Sequence, residues 1–240
     1  ALAGLESSQN GCLASTDGEI RYQRGGDGVI IPGTMTEIPA IDGGTLQLTI
    51  NRDLQWYLQQ LIAEQTQNTG ALNGSIFVVE VKTGAIRAAA EYPTVDPNAP
   101  TVVDESDRAS RIFRNTFEPG STFKALSAAM LVDSGTANPF SVVRVPFRQT
   151  FDNGASVRDD LPHPDYDYTL NGVLVNSSNV GISTFAGMMS YQARYDYLTR
   201  FGIGQVTDVD FLGEANGLVR DPSQWDNQTK YNTSYGQGLT

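Results

Sequence analysis

This chain is short of thiols, imidazoles and positive charge. Cys12 is its one cysteine, so an internal disulfide and a thiolate-bound metal cluster are both excluded. His163 is its one histidine, in a loop between Pro162 and Pro164. A Ser-His-Asp triad would have to use it, and nothing in the sequence places it near a serine. Sixteen Lys and Arg against 27 Asp and Glu leave a net charge of −11, which argues against nucleic acid and anionic lipid surfaces as partners. No apolar run approaches the length of a membrane-spanning helix, and there is no internal repeat or low-complexity tract. The acids Asp159, Asp160, Asp165 and Asp167 suggest a metal site by number alone. They lack the Gly and Glu spacing of a calcium loop, so they read as a solvated acidic loop.

What remains is the composition of a folded protein. A hydrophobic share of 40% in 240 residues can fill a sizeable core and suits one catalytic domain with an appendage. Residues 1–45 are polar and Gly-rich and read as an extended linker with short strands. From Asn51 to about Gln67, Leu54, Leu58, Leu61 and Ile62 recur at helical spacing, and Gly70 lies just past the end. Ile76–Val81 and Ala85–Ala90 are strand-like and flank the polar break Lys82-Thr83-Gly84, which predicts a hairpin over 75–91. A loop follows over 93–106, then a helix from Ser121 to about Asp133. Residues 142–151 and 155–158 are strand-like, and 161–168 irregular. Helices flank Ser177, and another runs over Gln192–Phe201. Strands at both ends of a helical middle predict an α+β fold with helices packed on an antiparallel sheet.

The chemistry concentrates in Glu118-Pro119-Gly120-Ser121-Thr122-Phe123-Lys124. Pro119 and Gly120 break the preceding segment, so Ser121 stands at a helix start and Lys124 lies one turn on, on the same face. A serine alcohol needs a base to become a nucleophile, and a lysine serves if its proton is held loosely. Burial and the positive end of the helix dipole both act in that direction. The Ser121 N–H could stabilise a developing oxyanion. Ser-x-x-Lys alone also fits a helix cap with a solvated lysine. The near-continuous apolar character of Phe123 and Ala125–Met130 suggests instead a buried central helix. A second group, Asn176-Ser177-Ser178-Asn179-Val180-Gly181, falls in a tight connection between helical segments. There Ser177 and Asn179 can share a cleft while Ser178 points away, although the same residues would also serve as a cap.

Ser-x-x-Lys followed by Ser-x-Asn resembles the signature of penicillin-binding proteins and serine β-lactamases. Further segments resemble the class B penicillin-binding proteins, in family order: Gly4-Leu5-Glu6, Leu48-Thr49-Ile50-Asn51, Val81–Ala88, Tyr92-Pro93-Thr94-Val95-Asp96-Pro97-Asn98, and Tyr235-Gly236-Gln237-Gly238. The chain is identified as a member of that family, of the division rather than the elongation type. The resemblance implies the penicillin-binding transpeptidase fold, with residues 1–45 ending an N-terminal linker and 46–240 forming the transpeptidase domain. It implies that Ser121 attacks a D-Ala-D-Ala peptide, that Lys124 takes the serine proton, and that Ser177 relays a proton to the leaving amine. Asn179 would position Lys124 and the substrate backbone. It also implies β-lactams as acylating ligands, stem peptides of peptidoglycan as substrates, and a glycosyltransferase and other division proteins as partners. No metal or organic cofactor is called for. The expected location is the outer face of the bacterial membrane, with an anchor preceding Ala1.

One family element departs from the pattern. A Lys-Thr-Gly strand is expected after Ser-x-Asn, and the only such triplet, Lys82-Thr83-Gly84, lies upstream of Ser121 in the expected hairpin turn. The resemblance therefore implies a fragment, with the third motif beyond Thr240. A β-lactamase or β-lactam sensor and a non-catalytic cell-wall scaffold stay open as alternatives.

Overall fold

The computed structural model describes residues 3–104 and 108–240. The chain divides into two compact units, Ala1–Asn115 with Val209–Glu214, and Thr116–Asp208 with Ala215–Thr240. No helix among the described residues is long and apolar enough to cross a membrane.

The first unit opens with two short helices, α1 (Gly4–Ser8) and α2 (Asn10–Leu13), and a small antiparallel ribbon of β1 (Glu19–Arg21) and β2 (Thr36–Ile38). Its main element is α3 (Arg52–Thr69). The Asn51 side chain accepts the Leu54 N–H at 2.9 Å, and Gly70 ends the helix in a left-handed cap. The expected apolar stripe is there: Leu54, Leu58, Leu61 and Ile62 pack on Ala88, Ala90, Ile76 and Val78. Those partners belong to an antiparallel hairpin of β3 (Gly74–Val79) and β4 (Ile86–Tyr92). Small alanines let the helix lie close to the sheet, and polar side chains of the helix then cover the free edge of β4. Gln55 binds Ala89 twice, accepting its N–H at 2.7 Å and donating to its carbonyl at 3.0 Å, and Gln59 donates to the Glu91 carbonyl at 2.6 Å. An edge that would otherwise invite another chain is thereby occupied. Lys82-Thr83-Gly84 sits in the hairpin turn, which a Glu80–Arg87 ion pair (2.7 Å) braces. A four-residue helix, α4 (Arg111–Arg114), ends this unit's first stretch.

The second unit is built around α5 (Lys124–Asp133), entered through a 3₁₀ turn over Gly120–Phe123. Two antiparallel ribbons follow. One pairs β5 (Val142–Val145) with β8 (Tyr166–Thr169), and the other pairs β6 (Arg148–Thr150) with β7 (Ser156–Arg158). Then come α6 (Leu170–Val175), α7 (Asn179–Ala186), α8 (Tyr191–Arg200) and the short α9 (Thr229–Asn232). Thr169, Ser178 and Ser190 cap α6, α7 and α8 by accepting a backbone N–H with their hydroxyls. Phe123, Leu131, Val145, Val173, Val180, Ile182, Phe185 and Leu198 form a single core. The fold class is α+β, as expected.

Two expectations are corrected here. The segment over 161–168 is not wholly irregular: from Tyr166 the chain joins the ladder of β5, with Val145 opposite Tyr166. Two prolines and two acids hid a Tyr-Asp-Tyr-Thr alternation that suits a half-exposed strand. Nor is α5 buried all round, since Ala125, Ala129 and Val132 face outward. Alanine favours helix and exposes little apolar area, so an alanine-rich helix reads as more apolar than it must be. The helix buried on nearly every side is α7, where Val180, Gly181, Ile182, Ser183, Phe185 and Ala186 are all buried.

Candidate active site

Ser121 lies in the 3₁₀ turn, one turn earlier than the regular helix that was expected to hold it. This matters for the geometry. With three residues per turn, side chains three apart eclipse one another, so the Ser121 hydroxyl and the Lys124 stem are stacked in register. Lys124 Nζ lies 3.1 Å from Ser121 Oγ. The lysine is only 2% exposed, while Ser121 is open to solvent.

The other wall is the connection between α6 and α7. Lys124 Nζ reaches the Ser177 carbonyl at 2.5 Å and the Ser177 hydroxyl at 3.0 Å. Three acceptors thus converge on one amine. Burial pulls the Lys124 ammonium down to a pKa of about 8, against the opposing charge of Asp159, which favours the protonated form. Ser177 itself is held at φ +51°, in the left-handed region, a conformation that costs a non-glycine residue about 1–2 kcal/mol. Asn179 is the first residue of α7, and its amide nitrogen donates to the Arg158 carbonyl of β7 at 3.2 Å. The structure therefore brings Ser121 and Ser177 to the one Lys124 amine and sets Asn179 on the adjoining turn, tied to β7 while Ser177 holds the lysine.

Ser178 points away from this centre, as expected, and into the protein. Its hydroxyl donates to Asp159 Oδ2 at 2.7 Å and accepts the Gly181 N–H at 2.8 Å. Asp159 is 7% exposed and also meets His163 Nε2 at 3.0 Å. Asp159 does not belong to a solvated acidic loop, and His163 does lie near a serine, though through a carboxylate and not by direct contact. A lone buried acid among four within nine residues carries no sequence signal of its own. Asp165 and Asp167 are exposed and pair with Arg144, at 3.5 and 3.3 Å.

The turn bearing Ser121 is braced from below by Tyr235-Gly236-Gln237-Gly238. The Gly236 carbonyl accepts the Gly120 N–H at 2.9 Å. Glu118 Oε1 accepts the Gly238 N–H at 2.7 Å, and Ser127 Oγ donates to the Ser234 carbonyl at 2.7 Å. The glycine pattern was visible in the sequence, but its attachment to the serine turn was not.

Comparison with known proteins gives a consistent picture. Residues 74–240 match the penicillin binding protein transpeptidase domain. The penicillin-binding protein PbpB of Mycolicibacterium smegmatis is 38% identical over 100% of this chain and 37% of its own length. The peptidoglycan D,D-transpeptidase FtsI of Escherichia coli is 33% identical over 76% of this chain and 31% of its own length. Penicillin binding protein 3 of Mycobacterium tuberculosis, solved as an ampicillin complex, superposes with a TM-score of 0.85 at 34% identity, over 100% of this chain and 49% of that one. The chain spans less than two fifths of the length of these two curated relatives, 37% and 31%.

Proposed function

This chain belongs to the penicillin-binding protein transpeptidase family, and from that premise we propose that it carries the acylation centre of a peptidoglycan D,D-transpeptidase. The observation that carries the reading is Lys124: a buried amine, its proton affinity lowered to about 8, within 3.1 Å of one serine hydroxyl and 3.0 Å of another.

A neutral lysine amine has two N–H bonds and one lone pair. The Ser177 carbonyl and hydroxyl can accept the two N–H bonds, which leaves the lone pair for the Ser121 O–H. Ser121 Oγ then attacks the carbonyl of the penultimate D-Ala of a stem peptide as Lys124 takes its proton. The Ser121 N–H faces the developing oxyanion. Collapse of the tetrahedral intermediate breaks the amide bond. The proton passes from Lys124 through Ser177 to the departing D-Ala amine, leaving an ester on Ser121. An amine of a neighbouring stem peptide attacks that ester, returns a proton to the centre and forms the cross-link. Asn179 binds the substrate backbone. A β-lactam presents a strained amide to the same serine and yields a slowly hydrolysed ester, a reading supported by the ampicillin complex of the M. tuberculosis relative.

The reading extends to a division-type enzyme, supported by the likeness to PbpB and FtsI, acting with a glycosyltransferase and other division proteins. Peptidoglycan lies outside the cell membrane, so the enzyme works on that face. Residues 1–45 belong to a linker region, and 46–240 to the transpeptidase domain. The test is fluorescent-penicillin labelling of the intact protein with and without Ser121→Ala. Label that depends on Ser121 and persists for many turnovers of a β-lactamase supports the proposal. Rapid release of the adduct would mark a β-lactamase, and absence of label a scaffold.

A further inference from the structure

Beneath the Ser177 turn lies a buried carboxylate that the acylation scheme does not use. Asp159 follows β7 and grips residues on both sides of Asn179. Its Oδ2 accepts the Ser178 hydroxyl at 2.7 Å and its Oδ1 accepts the Val180 N–H at 2.9 Å. A carboxylate on the first turn of α7 is also favoured by the helix dipole. These bonds hold the Ser178 side chain and the Asn179–Val180 peptide, just after Ser177, the residue held at φ +51°. Without them the backbone would be free to relax from its left-handed conformation and carry the Ser177 carbonyl and hydroxyl away from Lys124.

The far side of Asp159 meets His163. The ring stands between two acceptors, with Nε2 at 3.0 Å from Asp159 Oδ2 and Nδ1 at 2.6 Å from the Pro164 carbonyl. A neutral imidazole has one N–H and can satisfy only one of them, whereas the imidazolium satisfies both. The Pro164 carbonyl, and after it Asp159, accordingly hold the His163 proton more tightly than usual, with burial acting against them. Among the described residues, the charged and titratable groups near the pair include its chain neighbours Arg158 and Asp160, Asp165 on the His163 loop with its partner Arg144 of β5, Tyr166 and Tyr168 of β8, and Lys124 of α5.

We propose that Asp159 and His163 are positioning residues for the acylation centre. Asp159 holds the Ser177 turn through Ser178 and Val180, and its charge, offset by the His163 imidazolium, governs how readily Lys124 becomes neutral. The proposal rests on the reading of Ser121 as nucleophile and Lys124 as its base. The signs follow from charge alone. The Asp159 carboxylate favours the Lys124 ammonium, so removing it frees the base at lower pH. A protonated His163 cancels part of that carboxylate, so removing the imidazole keeps Lys124 protonated to higher pH.

The experiment measures the rate of acylation by a fluorescent penicillin, on the intact protein, from about pH 5 to about pH 10. Asp159→Asn is expected to move the rising limb down by about one pH unit while lowering the plateau about tenfold through loss of positioning. His163→Gln, at a ring 16% exposed on a loop, is expected to slow acylation about threefold near pH 6 and to rejoin the parent at alkaline pH. Ser178→Ala is expected to lower the plateau with the limb unmoved. Limbs for Asp159→Asn and His163→Gln that superimpose on the parent would overturn the proposal, and His163→Gln decides it alone if Asp159→Asn does not fold. Ser121→Ala in the same assay separates the two readings. Label without Ser121 sinks the acylation scheme, while Ser121-dependent label with unmoved limbs sinks only this inference.

Discussion

Gly236 lies against Gly120 so closely that position 236 has no room for a Cβ. The Gly236 carbonyl takes the Gly120 N–H at 2.9 Å, and a Cβ added to Gly236 would meet the Gly120 carbonyl oxygen at 2.3 Å and Phe123 Cβ at 2.7 Å. With φ at +77°, Gly236 is also in the region that L side chains avoid. The turn that presents Ser121 is thus set by a contact between backbones more than a hundred residues apart.

Gly236→Ala should for that reason destabilise the protein by about 3 kcal/mol, from left-handed strain and overpacking together, and should slow acylation at least as much as it lowers Tm. Thermal melting and penicillin labelling check both. An unchanged Tm would mean that the serine turn is not braced from this side.

Lys124→Met should abolish acylation and should also change how stability depends on pH. The folded-state pKa of Lys124 is lowered from 10.5 to about 8, so between those values the unfolded chain binds a proton that the folded one does not. Stability of the parent relative to Lys124→Met must then rise with pH across that window, by up to about 3 kcal/mol, and be flat below about pH 8. Paired denaturation curves at several pH values measure the difference. A difference independent of pH would place the lysine in solvent as an ordinary ammonium.

Much of this arrangement was legible beforehand, for reasons that separate local from distant causes. The α3 boundaries were readable because Asn51 and Gly70 act on their own helix ends. The hairpin was readable because a Gly-ending polar break between two apolar runs has few other uses. The pairing of Ser121 with Lys124 followed from spacing, although the 3₁₀ turn that makes it eclipsed did not, since tertiary contacts from Gly236 and Glu118 set that turn. Asp159 was hidden because burial of one acid among several depends on where α7 and β7 meet. The α5 surface was misjudged because alanine is read as core by composition while it tolerates water.

Lys82→Ala should leave acylation within about twofold of the parent, because Lys82 is an exposed turn residue and such charges contribute little. A loss of about a hundredfold, the scale of an electrostatic group that touches the reacting atoms, would mean that Lys82 enters the site and that the hairpin turn has a second role.

The most direct test of the account is to acylate the intact protein with a penicillin, digest it and locate the adduct by mass spectrometry, alongside Lys124→Arg. The account predicts one modified residue, Ser121, in the parent. In Lys124→Arg, whose guanidinium cannot serve as a base, it predicts a rate lower by about a hundredfold or more. An adduct on Ser177 or Ser178, or Lys124→Arg acylating as fast as the parent, would contradict it.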